Sequence, residues 1–352
     1  MSQQPLTRRS LLAAAGMACL GMRPVRAMAA VPTAYDLVDI GSLNPDGSCY
    51  PTGIASNGLV SGNCGAPFVW SPADGMQPLS TGGGSTTVAY ASGVNARRDV
   101  AGNSYRGVGS ADAVLWPQAG SLTKIAAGKG IAVNDFGSVT GYYVPKTTAQ
   151  ALLARLVSGR IKIWSLGPGQ GSAISPAGRV AGFTGSSETA AGFLWTPSTP
   201  NGTTGVRQSV TVGSAYTQPS GVNDAGQVVG VSCWVGLPPR AFLWQGGAGV
   251  SLGTLPGDPA YSDYEESQAA AINSVGTVVG QSRSINPSNT QSWVSRAFVW
   301  DAVGGMQDLN GLIPDSPAYE LLSALGVNDT GHIVCRARVA GLDRGVVLTP
   351  RL

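Results

Sequence analysis

Glu265 and Glu266 stand beside Asp258 and Asp263 in one short carboxylate-rich stretch. Paired carboxylates held about 5–9 Å apart can hydrolyse a glycosidic bond, and their oxygens can equally ligate calcium. Aromatic residues gather in comparable segments: Tyr142 and Tyr143, Trp234, Tyr261 and Tyr264, Trp293, and Tyr319 beside Glu320. Such rings stack on sugars or extended peptides while a polar tip stays in water. The one histidine, His332, follows a turn glycine where other copies of a repeat carry Gln227, Thr277, Ser138 or Arg179, which argues against a general base. No Gly-x-Ser-x-Gly elbow, phosphate loop, Cys-x-x-Cys pair or D-x-D-x-D-G loop occurs. This inventory points to binding, with no catalytic residue, no metal and no cofactor.

The elements that must position these groups come from that repeat. The segment Gly221-Val222-Asn223-Asp224-Ala225-Gly226-Gln227-Val228-Val229-Gly230 returns as Ala271-Ile272-Asn273-Ser274-Val275-Gly276-Thr277-Val278-Val279-Gly280. Seven copies share an apolar residue (Ile54, Val94, Val133, Ile174, Val222, Ile272, Val327). They close eight residues later on Gly62, Gly102, Gly141, Gly182, Gly230, Gly280 and Cys335. An apolar run ending in Trp usually follows, as in Phe68-Val69-Trp70 and Phe298-Val299-Trp300, and then one more short strand such as 250–255. In the third copy, 151–154 and 161–164 compete for the Trp-run position. Four β-rich runs every 40–55 residues, the first two split by Asn-Asp-x-Gly turns, predict propeller blades. The reading is an all-β, closed, seven-bladed β-propeller with four short antiparallel strands per blade. The seventh copy ends without room for a fourth strand, and 36–43 resembles one. The N-terminal strand is therefore expected to complete the last blade and remove its bare edge.

Arg240-Ala241-Phe242-Leu243-Trp244 and Arg296-Ala297-Phe298-Val299-Trp300, each after such a turn, resemble the extracellular HAF-repeat family. The resemblance spans nearly all of the chain beyond residue 29 and is closest in the fifth and sixth copies. Arg240 and Arg296 stand where the family's name-giving His would be. It implies a bacterial exported repeat protein with a propeller-like fold, and it brings no common catalytic set.

Thr7-Arg8-Arg9-Ser10-Leu11-Leu12, a short apolar stretch and Ala27-Met28-Ala29 read as a cleavable signal of twin-arginine type. Residues 1–29 are expected to leave, and 30–352 to form one domain in the periplasm or outside the cell. The apolar stretch falls short of the roughly 20 residues that a membrane span needs. Of 22 basic residues, Arg8, Arg9, Arg23 and Arg26 depart with the signal, leaving 18 against 19 acidic ones. That balance excludes nucleic acid as a partner. In an oxidising compartment, Cys49 and Cys64 should form a disulfide, because a two-residue turn at Ser56-Asn57 sets them directly opposite. Cys233 and Cys335 belong to different copies and should stay free.

Ordering strands outward from the axis puts the Asn-Asp-x-Gly turns on one face, expected to be scaffold. The variable segments 103–112, 142–150, 231–240, 253–269, 281–296 and 310–324 fall on the other, where binding usually lives. The repeated Asn95, Asn134, Asn223, Asn273 and Asn328 read as turn formers that bond nearby backbone. The functional reading is an exported, monomeric, non-enzymatic propeller that binds a polymer (a polysaccharide) or a protein partner on its loop face. Its candidate ligand contacts are Tyr142, Tyr143, Trp234, Tyr261, Tyr264, Glu265, Glu266, Trp293 and Tyr319. The alternative is a polysaccharide hydrolase or lyase that uses the loop-face carboxylates and tyrosines.

Overall fold

A computed structural model describes residues 31–82, 87–106, 111–186, 189–213, 216–233, 238–257 and 259–351; the segment read as a signal lies outside them. Every copy of the repeat opens with the same hairpin. Asn223 N–H donates to the Gln227 carbonyl, and the Asn223 carbonyl accepts from Gly226 N–H; Asn273 does the same with Thr277 and Gly276, and Ala55 with Leu59 and Gly58. The residue three places on is left-handed, at φ 76° for Gly226 and 89° for Gly276, where glycine carries no Cβ penalty. This is a three-residue loop, one residue longer than the turn inferred from the sequence.

The strands are β1 (Tyr35–Asp39), then β2 (Tyr50–Ile54), β3 (Val60–Cys64), β4 (Ala66–Ser71) and β5 (Gly75–Pro78). Next come β6 (Thr87–Val94), β7 (Val100–Arg106), β8 (Asp112–Trp116), β9 (Thr123–Val133), β10 (Val139–Tyr143), β11 (Gln150–Val157) and β12 (Arg160–Pro168). The fourth and fifth copies give β13 (Gln170–Ile174), β14 (Val180–Thr184), β15 (Ala191–Pro197) and β16 (Gly205–Val210), then β17 (Thr217–Val222), β18 (Val228–Ser232), β19 (Arg240–Gln245) and β20 (Ala248–Gly253). The last are β21 (Glu266–Ile272), β22 (Val278–Asn286), β23 (Asn289–Asp301), β24 (Gly305–Asp308), β25 (Glu320–Val327), β26 (Ile333–Val339) and β27 (Leu342–Pro350). All pairings are antiparallel, so the fold is an all-β propeller with four-stranded blades.

The sheet count corrects the expectation of seven separate blades. Five four-stranded sheets stand alone, and the second and third copies share one seven-stranded sheet running from β6 to β12. The join is β9, whose first half pairs with β8 and whose second half pairs with β10. Both candidates for the third copy's Trp-run position are strands: Ala151–Ala154 lies in β11 and Ile161–Trp164 in β12.

The repeat's closing glycine has a steric cause. Midway along each first strand the pairing skips a residue, between Ala91 and Gly93, Pro219 and Gly221, or Ala269 and Ala271. This β-bulge bends the strand and brings a carbonyl over its neighbour. A Cβ on Gly102, Gly230 or Gly280 would land on the carbonyl oxygen of Tyr90, Gln218 or Gln268. The same irregularity rescues the disulfide. The longer turn shifts register at Ile54↔Val60, the bulge at Thr52 shifts it back, and Tyr50 faces Asn63. Cys49 and Cys64, just beyond, are bonded with Cα atoms 4.6 Å apart. Cys233 and Cys335 are free.

Apolar residues fill the spaces between neighbouring sheets; one cluster joins Val229 and Leu243 to Ala269, Val278 and Phe298. First strands also touch in sequence: β2 meets β6, β6 meets β9, β9 meets β13, and so on through β17, β21 and β25 back to β2. The N-terminal strand does complete the last sheet, in the order β1-β27-β26-β25, with Leu37 opposite Leu348. Asp39 clamps that join. Burial alone would raise its carboxyl, but Arg344 Nη2 at 2.9 Å, Gly41 N–H at 2.8 Å and Tyr319 Oη–H at 3.0 Å hold it below the usual carboxylate range.

Five copies end the first strand in a buried asparagine: Asn95, Asn134, Asn223, Asn273 and Asn328. The Oδ1 of Asn223 accepts from Gln227 N–H at 3.1 Å, and its Nδ2 donates to the Asn273 carbonyl of the next copy at 3.0 Å. Asn95 reaches Asn134 in the same way, Asn134 reaches Ser175, Asn273 reaches Asn328, and Asn328 reaches Ala55. These residues are turn formers, as expected, and they also tie each copy to its neighbour.

Two predictions follow from these contacts. Asn223→Ala strips the buried Gln227 N–H of its side-chain acceptor, so urea unfolding should show a loss of about 1–3 kcal/mol at unchanged m; a smaller change would mean water replaces the clasp. The second concerns acid. A lowered folded pKa contributes stability above the unfolded value and loses it as pH falls through the folded one. Asp39→Asn should therefore be less stable than wild type at neutral pH, and the gap should shrink below about pH 4. A gap independent of pH would contradict the clamp.

Candidate functional site

Between the fifth and sixth copies, the loop face opens into a cleft of about 220 Å³ lined by Tyr216, Gln218, Glu266, Gln268, Gln281 and Arg283 among others. β17 and β21 supply Gln218 and Gln268 from the inner rim, and β22 supplies Gln281 and Arg283. Antiparallel pairing sets Gln268 opposite Gln281 and Glu266 opposite Arg283. The Glu266 carboxylate lies 3.4 Å from Arg283 Nη1, and that guanidinium covers the Trp293 ring at 4.8 Å from its centroid. Trp293 remains 40% exposed. Burial, with Cys233 alongside, pushes the Tyr216 phenol up to about 12. Burial also pulls Arg240 below its usual value, against the opposing pull of Glu265 and Glu266. Its Nη1 donates to the Glu265 carbonyl.

The residues singled out from the sequence do not form one site. Glu266 and Trp293 meet through Arg283. Glu265 instead braces its own loop, accepting from Thr254 Oγ1–H and Gly257 N–H, both at 2.7 Å. Tyr264 is exposed; the Tyr261 side chain and Trp234 lie outside the described residues, as do Asp258 and Glu188. Tyr142 lines a separate cleft of about 300 Å³ with Gln170 and Phe183, and Tyr143 packs on an apolar cluster. Tyr319 is spent on Asp39 at the closure. Segment 281–296 is no irregular loop: β22 and β23 continue as a paired hairpin out to Asn286 and Asn289.

A more regular feature escaped sequence reasoning. Tyr50, Tyr90, Gln170, Gln218 and Gln268 each face the residue after a closing glycine: Asn63, Asn103, Phe183, Val231 and Gln281. They occupy one register position on successive first strands, at the loop-face end of the axis. Lys129, opposite Tyr142, takes that position in the third copy. Tyr50 and Tyr90 are 45% and 46% exposed, and Tyr105 stands edge-on to Tyr90 at 5.9 Å between centroids. The available signal was a constant spacing, twelve residues before each closing glycine.

The turn face, expected to be scaffold alone, carries cavities. One of about 330 Å³ sits on the axis, among residues such as Ile54, Val133, Asp135, Asp224, Ile272 and Asp329. Another of about 350 Å³ lies at the seam between the first and last sheets. Among the described residues, no group of three His, Cys, Asp or Glu is placed to hold a metal ion. Nor is any helix among them long and apolar enough to cross a membrane.

No family model and no curated protein matches the chain. Among solved structures it is similar to a streptogramin B lyase, with a TM-score of 0.50 and 13% identity over 91% of this chain and 99% of that one. Weaker likenesses are a putative TolB from Agrobacterium tumefaciens (TM-score 0.40, 16% identity, 62% and 80% covered) and a PQQ-bound aldose sugar dehydrogenase from Streptomyces coelicolor (0.38, 13%, 91% and 99%). At these identities the likeness extends to the propeller fold and no further.

Proposed function

We propose that this protein is an exported, closed ring of seven four-stranded units that binds a polysaccharide on its loop face without cleaving it. The observation that carries this reading is the arc of Tyr50, Tyr90, Gln170, Gln218 and Gln268 at one register position. Flat aromatic faces and planar amides are the groups that stack on sugar rings and bond their hydroxyls. The cleft beside Gln218 and Gln268, with Trp293 at its edge, extends that surface. Counting the two halves of the β6–β12 sheet as separate blades that share β9 gives the seven units. Membership of the HAF-repeat family, cleavage of residues 1–29 and twin-arginine export belong to the same proposal. The Cys49–Cys64 disulfide supports an oxidising destination.

A polysaccharide array, read for both retention and degradation, tests the binding claim. Tyr90→Ala and Gln268→Ala should each weaken retention about tenfold, a loss near 1.4 kcal/mol, with the melting temperature little changed. Retention unaffected by both would place binding elsewhere. Depolymerisation that Glu266→Gln abolishes would replace this reading with the hydrolase or lyase one. The export claim has its own measurement: changing Arg8 and Arg9 to lysine should leave the uncleaved precursor in the cytoplasm, and normal export of that variant would contradict it.

A further inference from the structure

The seam cavity of about 350 Å³ lies on the turn face, opposite the loop-face surface just described. Its size falls at the lower end of small-molecule sites, which run from about 300 to 1,000 Å³. β4 contributes Trp70, β1 contributes Val38, β27 contributes Val347 and Thr349, and the last copy's turn contributes Thr330 and His332. Ligand contacts here would therefore span both sides of the closure. Among the described residues, no Lys, Arg, Asp or Glu lines this cavity.

Two polar atoms in it lack protein partners among the described residues. Trp70 packs with only 6% of its surface exposed, and its indole N–H, which is not itself fully buried, donates to no group among the described residues; Trp116, its counterpart in the next copy, donates to the Ser80 carbonyl at 2.6 Å. The second atom is identified by following protons. Asn328 Nδ2 donates to the Ala55 carbonyl, so its Oδ1 is the acceptor for Thr330 Oγ1–H at 2.8 Å. That bond uses Thr330's single hydroxyl proton. The Thr330 oxygen must then accept from His332 Nδ1–H, 2.8 Å away. An imidazole that donates from Nδ1 can keep its lone pair at Nε2, and Nε2 has no protein partner among the described residues. The cavity thus offers one accessible donor, one acceptor and the Thr349 hydroxyl, beside the already partnered Ser56 and Asn57 and against the aliphatic surfaces of Val38 and Val347.

We propose that this seam cavity is a second ligand site, for a small uncharged polyhydroxylated ring of monosaccharide size. Ring hydroxyls can accept from Trp70 Nε1–H and donate to His332 Nε2, which an apolar molecule cannot do, and the described lining residues give an inorganic ion no counter-charge. Binding across the seam stabilises the closed protein in proportion to RT ln(1 + [L]/Kd). The proposal stands apart from the loop-face reading.

D-glucose, D-galactose, D-mannose and myo-inositol at millimolar concentration serve as probes, read by thermal unfolding and by saturation-transfer NMR on the full mature chain. At least one should raise the melting temperature and show transfer. Trp70→Phe, which keeps the ring and removes the N–H, and His332→Ala should each weaken that response about tenfold, whereas Val206→Ala, at a 71% exposed residue that lines neither surface, should leave it intact. Should Trp70→Phe fail to fold, His332→Ala decides alone. No response to any of the four probes overturns the proposal. So does a response that survives both turn-face substitutions, or one lost only in Val206→Ala.

Discussion

A buried asparagine amide at the end of a first strand does two jobs, and the assembly depends on their being done by the same side chain. Its oxygen closes the local hairpin, and its Nδ2 grips the main chain of the next copy. A buried amide that lost either partner would cost more than the bond itself contributes, so hairpin and neighbour are held together or lost together. Where the asparagine is missing, other groups span the gap. Asn57 Nδ2 donates to the Ala96 carbonyl at 3.0 Å, and Ala177 N–H donates to Asp224 Oδ1 at 2.9 Å.

The bulge is the second constraint, and it links backbone to composition. Each first strand gives up one pairing so that it can bend, and the displaced carbonyl leaves room opposite it for glycine alone. The seventh copy varies the pattern: β25 carries two irregularities rather than one, and Cys335 takes the closing position. At the other boundary, Gly128 at φ 144° sits where β9 passes from one partner to the next. A Cβ there would collide with the Tyr142 carbonyl, so this passage too requires glycine.

The seam and the loop face use different residue types for physical reasons. The seam is fastened by ionic and hydroxyl contacts, Asp39 with Arg344 and Tyr319, and Asp36 with Arg351. A join between β1 and β27, about 300 residues apart, cannot draw on short-range connectivity and is held by such long-range bonds. The loop face presents aromatic and amide groups on rigid inner strands instead. On the proposed binding reading, groups held there would lose little further conformational freedom, which favours affinity.

The sequence by itself determined whatever repeats locally: the hairpin, its glycine, the Trp-ending strand and the spare N-terminal strand are all short-range patterns. It also placed Cys49 against Cys64, although the inferred turn was one residue short and a bulge supplied the compensation. What it could not settle was which side chains share a surface. Glu265 and Glu266 are adjacent in the chain, yet Glu265 lies in the loop before β21 and bonds that loop, while Glu266 opens the strand and pairs with Arg283, which covers Trp293. Tyr319 reads as a ligand contact until the distant Asp39 takes its hydroxyl. The arc from Tyr50 to Gln268, and the cavity that brings Trp70 to His332, exist only because the fold sets residues from separate copies side by side. Distances between copies depend on how the strands bend and close, which no local spacing records.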